Sequence, residues 1–351
     1  MPIIARPEIL EEEYIPPSLP CREMQKRELA FCLMPMRKGL KPLDCLCHGK
    51  PGTGKTVLVK YVLNQLEENT NALTSYINCW ENKTLTQVLD QILRQVGLPI
   101  LDSKISVKLS ALKRKINRRP FVIALDEVDK LKSRELNDIL YNLKSLGKVG
   151  VICISNTRKY FLTLDPRITS RLNFRSVNFP PYSNEELVTI LKQRIVNCRA
   201  LYPNTWSKRI LEQIADLSAG DARVAIQILR NSAYIAERSN RNKITKDDVG
   251  KAYEEAMEIK RKYMLEKLGE HHRLVYEIIR KNPGITLHDL FLKYGDECRK
   301  MDLMPESERS LTSYIHDLIS LHYVNFERAK VRGNVRKFKV VGERARMESL
   351  R

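Results

Sequence analysis

The sequence predicts a layered α/β domain built on a parallel sheet, then an all-helical segment, then a small C-terminal module of helices and a hairpin. Three observations predict this. Continuous apolar runs alternate with amphipathic segments up to about residue 180, the β signal stops at "FPPYS" (179–183), and two basic runs flank Gly333 and Asn334 near the end. Apolar runs without polar alternation are the mark of strands buried on both faces, which parallel sheets require because helices cover them. At 351 residues the chain should hold two or three cores, since a single core stops growing at about 250–300 residues.

Taken in order, residues 1–42 are irregular and carry prolines, apart from a helical pattern around Arg22 to Met36. Strands are predicted at Leu43 to Cys47, Thr74 to Cys79, Phe121 to Asp126, Val149 to Ser155 and Arg175 to Phe179. Helices are predicted at Lys55 to Gln65, Leu85 to Val96 and Arg134 to Ser145. After "FPPYS" a capping-box pattern, Ser183 with Glu186, opens "SNEELVTILKQRIVNC", because the hydroxyl and the carboxyl each satisfy an orphan N–H of a helix start. "WSKRILEQIADLS", "DARVAIQILRNSAYIAERS" and "KDDVGKAYEEAMEIKRKYMLEKL" continue a helical domain. "LVYEIIRKN", "TLHDLFLKYG" and "ERSLTSYIHDLISLHYV" are three further helices, and "YVNFERAKVRGNVRKFKVV" is a hairpin. Three helices and a hairpin suggest a winged helix-turn-helix. The predicted domains are 1–181, 182–265 and 266–345.

The net charge of +19 and a pI near 9.6 call for a polyanionic partner, and nucleic acid fits better than a membrane because no lipidation motif accompanies the charge. Eight cysteines show no CxxC pair, and several sit in apolar runs where a thiol acts as a small hydrophobe. Reduced thiols and a cytoplasmic, nucleoid-associated chain are expected. No signal-peptide pattern and no apolar stretch of about 18 residues is seen, so no membrane partner is expected.

"HGKPGTGKT" (48–56) places Gly49, Gly54, Lys55 and Thr56 on GxxxxGK[ST], after an apolar strand and before a helix. Small residues let the backbone of Lys50, Pro51, Gly52, Thr53 and Gly54 close around phosphate oxygens, and the helix start adds its positive end. Lys55 would reach the β- and γ-phosphates, and Thr56 would ligate Mg2+. ATP or ADP with Mg2+ is the expected cofactor. "FVIALDEVDKL" carries an apolar strand into two carboxylates, Asp126 and Glu127, at the strand end where open α/β sheets bind ligands. Asp126 is assigned to the metal, and Glu127 to polarising the attacking water. Asn156 ends a further buried strand; read from the residues alone it is either a turn residue or a γ-phosphate ligand.

The order GKPGTGKT, LDEVD, ISN and helical lid resembles the AAA+ ATPases. "EEEYIPPSLPCREMQ", "YINCWENKT", "LDPRITSRL" and "SAGDARVAIQILR" are similar to the archaeal origin-recognition and cell-division-control initiators. The resemblance covers almost the whole chain, strongly from about residue 7 to 260. It implies that Asn156 senses the γ-phosphate, that Arg223 is a second sensor on the lid, and that Arg171, with Arg167 as its rival, is a finger offered to a neighbour's ATP. It also implies that Tyr14, Ile15, Pro16 and Arg22 lie near the adenine. A finger supplied in trans implies slow hydrolysis by the isolated chain, with ATP acting as a switch. The family's function implies duplex origin DNA, the replicative helicase and paralogous initiators as partners.

For DNA, the hairpin offers Arg328, Lys330, Arg332, Arg336, Lys337 and Lys339 against one acid, Glu327. The helix before it offers Arg309, beside the less suitable Glu306, Glu308 and Asp317. "KLSALKRKINRRP" adds Lys108, Lys113, Arg114, Lys115 and Arg118 as a second basic stretch in a part of the domain where the initiators carry a DNA-reaching element. The competing readings are a nucleotide-gated DNA-binding regulator or repressor and a clamp loader; the second lacks its usual finger motif and C-terminal collar here.

Overall fold

The five strands that the apolar runs predict line up side by side in one sheet of a computed structural model, which describes residues 2–100, 104–116, 119–158, 161, 164, 165, 168, 174–267, 269–320, 323–328 and 336–340. They are β1 (Asp44–His48), β2 (Leu73–Asn78), β3 (Phe121–Asp126), β4 (Val149–Ser155) and β5 (Phe174–Asn178). All are parallel, in the order β2-β3-β4-β1-β5. Every residue of β3 and β4 is buried, which is why neither strand shows polar alternation in the sequence.

Two cores form, one on each face of the sheet. Ile77, Leu125 and Val151 pack with Leu89 and Ile92 of helix Leu85–Gln95, Leu112 of helix Ile105–Ile116 and Ile139 of helix Ser133–Lys144. On the other face Val122, Ala124 and Ile152 pack with Leu29 of helix Glu23–Leu33 and Leu58 and Val59 of helix Lys55–Asn69. The carboxyl ends of β1, β4 and β3 therefore lie in a row, and the loops leaving them share one crevice.

The helical segment opens with helix Asn184–Lys192, where the Ser183 hydroxyl accepts from Glu186 N and both halves of the capping box form. A π-helical turn, Gln193–Asn197, follows, then helices Lys208–Ser218, Ala222–Arg238 and Lys246–Lys267. The amino terminus, which the sequence leaves irregular, is a buried strap on this segment. Ile3, Ile9 and Leu10 are almost fully buried, Ile4 bridges Leu201, and Glu237 Oε1 accepts from Ile3 N and Ile4 N at 2.6 and 2.9 Å. The buried Arg194 guanidinium donates to the carbonyls of Ile9 and Tyr14. Periodicity could not show this, because side chains of a distant helix satisfy the strap's backbone where a regular element would use its own.

The chain divides into two units, Met1–Tyr253 and Glu254–Arg351, so the division falls inside helix Lys246–Lys267. The second unit holds helices Glu270–Lys281, Leu287–Lys300 and Glu308–Ser320. Its antiparallel sheet has the order β6 (Ile285–Thr286), β8 (Arg336–Val340), β7 (Val324–Arg328). Val275, Leu290, Tyr294, Leu311, Ile315 and Phe338 form its core. Strand β6 is too short to leave a pattern in the sequence; it closes the sheet that makes the hairpin a wing. The hairpin turn at Gly333 and Asn334 lies outside the described residues.

Candidate functional site

The glycine loop leaves β1 and enters helix Lys55–Asn69. Gly52 and Gly54 have φ of +73° and +82°, where a side chain is strained. Each is also crowded: a Cβ on Gly52 would lie 1.8 Å from Asp221 Oδ1, and one on Gly54 would lie 2.5 Å from the Tyr182 hydroxyl. Thr53 is buried and its hydroxyl donates to Lys50 O at 2.8 Å. Lys50 and Pro51 stand exposed at the loop's outer edge.

Lys55 is buried, and its ammonium donates to Gly49 O at 2.7 Å, Lys50 O at 2.8 Å and Asn156 Oδ1 at 3.2 Å. Burial lowers its pKa below the ordinary lysine value, and the Asp126 charge partly offsets this. Thr56 Oγ1 donates to Asp126 Oδ2 at 2.7 Å, and Glu127 N donates to Asp126 Oδ1 at 2.8 Å. Glu127 adopts a left-handed conformation, φ 54°; strain of this kind in a non-glycine residue persists where the surroundings impose it. Burial, then the neighbouring Asp126, raises the Glu127 pKa above the usual carboxylate value. Asn156 is held by Asp129, which accepts from its N at 3.1 Å and its Nδ2 at 3.3 Å.

On the lid, Asp221 caps helix Ala222–Arg238 by accepting from Arg223 N and Val224 N, and Ala222 N donates to Gly52 O at 3.1 Å. The lid therefore rests directly on the glycine loop. The Arg223 side chain is half exposed and pairs with Glu12 of the strap at 2.5 Å. Tyr14 stacks near Arg194, 5.3 Å from its guanidinium to the ring centroid. Ile15 is half-buried and Pro16 buried.

Arg22 is almost fully buried and tied to backbone. It donates to Thr53 O at 3.0 Å, Cys21 O at 2.9 Å and Pro180 O at 2.7 Å, with its guanidinium 3.6 Å from the Tyr182 ring centroid. It locks the glycine loop to the hinge between sheet and lid.

The donor set fits the implied cofactor: a glycine loop whose Gly52 and Gly54 adopt a positive φ and are packed too closely for any side chain, a buried ammonium facing only oxygen acceptors, and a hydroxyl beside a carboxylate, the hard oxygen ligands that Mg2+ takes. Arg171 and Arg167 lie outside the described residues. Residues that composition and spacing did not single out complete the site. Asp129 holds Asn156, Tyr182 covers Gly54, and Tyr76 donates to Asp126; only Asp129 had a signal, its place in the acidic run.

Of the basic surfaces, Lys113, Arg114 and Lys115 are exposed on helix Ile105–Ile116, whereas Lys108 points inward and pairs with Asp90 at 2.5 Å. Arg118 lies outside the described residues. In the second unit Arg309 and Lys337 are exposed, Lys339 pairs with Glu327, and Arg336 lies 4.7 Å from the Phe326 ring centroid. Arg328 is placed by its backbone opposite Arg336; Lys330 and Arg332 lie outside the described residues.

A family model described as an AAA domain matches residues 44–159, and one described as a Cdc6 AAA+ ATPase-type lid domain matches 188–254. The ORC1-type DNA replication protein of Pyrococcus horikoshii is 32% identical over 350 residues, covering 92% of this chain and 83% of that protein. This chain belongs to the ORC1-type DNA replication proteins. The ORC1-type DNA replication protein 1 of Sulfolobus acidocaldarius is 34% identical over 332 residues, covering 89% of this chain and 83% of its own. Among solved structures, the Aeropyrum pernix ORC1 protein in complex with DNA superposes with a TM-score of 0.74 at 26% identity, covering 99% of this chain and 96% of that one. Cdc6p from Pyrobaculum aerophilum, at a TM-score of 0.66 and 24% identity, shares the fold. The AAA+ architecture with a Cdc6-type lid, expected from the motif order, is therefore the architecture of this ORC1-type chain.

Proposed function

We propose that this ORC1-type protein is an ATP-dependent replication initiator that binds origin duplex DNA and helps recruit the replicative helicase together with paralogous initiators. The reading rests above all on one convergence: Lys55, Thr56, Asp126, Glu127 and Asn156 meet at one end of the sheet, directly beneath a lid that touches Gly52. Tyr14, Ile15, Pro16 and Arg22 are assigned to the adenine side, and Arg223 to the nucleotide because it stands at the start of the lid helix whose first residue bonds the glycine loop.

Mg2+, held by Thr56 and Asp126, would neutralise charge on the phosphate oxygens. Glu127 orients and polarises a water, and Asn156 and Arg223 report whether the terminal phosphate is present. Arg171 is assigned to a neighbour's site, so the isolated chain turns over slowly and serves as a switch that sets the lid. Arg309, Arg328, Lys330, Arg332, Arg336, Lys337 and Lys339 of the winged helix, with Lys113 and Arg114, are assigned to DNA phosphates. The protein works in the cytoplasm at the nucleoid.

Calorimetric titration with ATP and with ADP, followed by footprinting of origin duplex in each nucleotide state, tests this. Tight nucleotide binding and a footprint that changes between states are expected. A chain that ignores both nucleotides overturns the reading.

A further inference from the structure

Asp126 is held by more than its metal-site neighbours. Its Oδ2, which accepts from Thr56 Oγ1, also accepts from the Tyr76 hydroxyl at 2.7 Å, while its Oδ1 accepts from Glu127 N. An ionised carboxylate offers about four lone-pair positions. Three are taken by donors of this chain, which leaves one for a further partner.

Tyr76 is fixed on every side. Its backbone N donates to Gln95 Oε1 at 3.0 Å, and its O accepts from Gln95 Nε2 at 2.9 Å. The Ser75 hydroxyl adds a bond to the same Gln95 oxygen, so an amide side chain stands in for a neighbouring strand along the β2 edge. The Lys60 ammonium lies 4.4 Å from the Tyr76 ring centroid.

We infer that Tyr76 is a positioning residue for the metal: reaching Asp126 from the edge strand, it turns the carboxylate so that its one open lone pair faces a water on Mg2+. The inference rests on the proposed assignment of Asp126 to the metal. Partners one step removed from a metal commonly change its affinity by about ten- to a hundredfold when removed. A hydroxyl that merely filled space would change binding with and without metal alike.

The test is the Mg2+ dependence of ATP binding by calorimetry, from EDTA to millimolar Mg2+, for the full chain and for Tyr76→Phe, with thermal melting of both in EDTA. Tyr76→Phe should bind ATP in EDTA within about twofold of the parent, melt at nearly the same temperature, and need about tenfold more Mg2+ for half-maximal tightening. An unchanged Mg2+ midpoint overturns the inference, and so does an equal loss of ATP affinity with and without Mg2+. Asp126→Asn separates the two levels. If the parent and Asp126→Asn share one Mg2+ response, the metal assignment itself fails; if they differ while Tyr76→Phe matches the parent, only the role of Tyr76 fails.

Discussion

The two ends of the central sheet bury charge in opposite ways. At the amino end, Asp44 on β1 accepts two bonds from Lys144 Nζ, at 2.7 and 2.8 Å, and one from Val151 N at 2.9 Å. Lys144 also donates to Val149 O at 3.1 Å, and burial lowers its pKa to about 8 against the raising effect of Asp44. These bonds tie β1, β4 and helix Ser133–Lys144 together at the amino end of the sheet. At the carboxyl end, Lys55 and Asp126 are as deeply buried, but the Lys55 ammonium reaches loop carbonyls and the Asn156 amide oxygen, acceptors that a phosphate could replace. The difference teaches that buried charge signals a site only when its partners leave it an open direction.

That contrast sets the first prediction. Lys55→Ala should lower ATP affinity by about a thousandfold or more in calorimetry while leaving unfolding stability almost unchanged, since the missing ammonium was itself costly to bury. Lys144→Ala should do the reverse. It strands the Asp44 carboxylate, costs about 3–5 kcal/mol in denaturant unfolding, and leaves nucleotide affinity intact in the folded fraction. Equal effects of both on stability would erase the distinction between the two ends.

Glu127 sharpens it further. Glu127→Gln should keep ATP binding and slow turnover by about a hundredfold or more. Because its folded pKa is raised, the native state binds more protons than the unfolded chain between the ordinary and the raised value, so wild-type stability falls as pH rises through that window. The Gln variant, which cannot charge, should therefore melt higher than wild type at neutral pH, with the gap vanishing as pH drops below the ordinary carboxylate value. A gap independent of pH would mean that burial does not strain this carboxylate.

The smallest effect is expected in the second unit, where charges are solvated. Arg336→Ala with Lys337→Ala should weaken duplex DNA binding and reduce its salt slope by roughly 0.9 for each phosphate left without its cation. A salt slope equal to the parent's would remove the wing from the DNA surface.

Much of this was legible in the chain itself. Strands β3 and β4 match their apolar runs residue for residue, because burial on both faces leaves no polar position to blur the ends. The glycine loop, Asp126 and Glu127 were legible because a GxxxxGK[ST] loop after a strand and an apolar strand ending in two carboxylates are patterns of local spacing. Tyr76, Tyr182 and Asp129 were harder. Their importance comes from a partner 50, 128 and 27 positions away, and no local pattern encodes that. Lys108 misled for the same reason: within a basic run it looks solvated, yet its place on the helix turns it toward Asp90.

By itself, then, the sequence determined the layer order, the nucleotide loop and the positions of its carboxylates, because hydrophobic period and motif spacing act over a few residues. Only the tertiary structure decided which carboxylate oxygen stays open, that the strap clamps the lid, and that Arg22 holds backbone. Those outcomes depend on hydrogen bonds between groups that folding alone brings within about 3 Å.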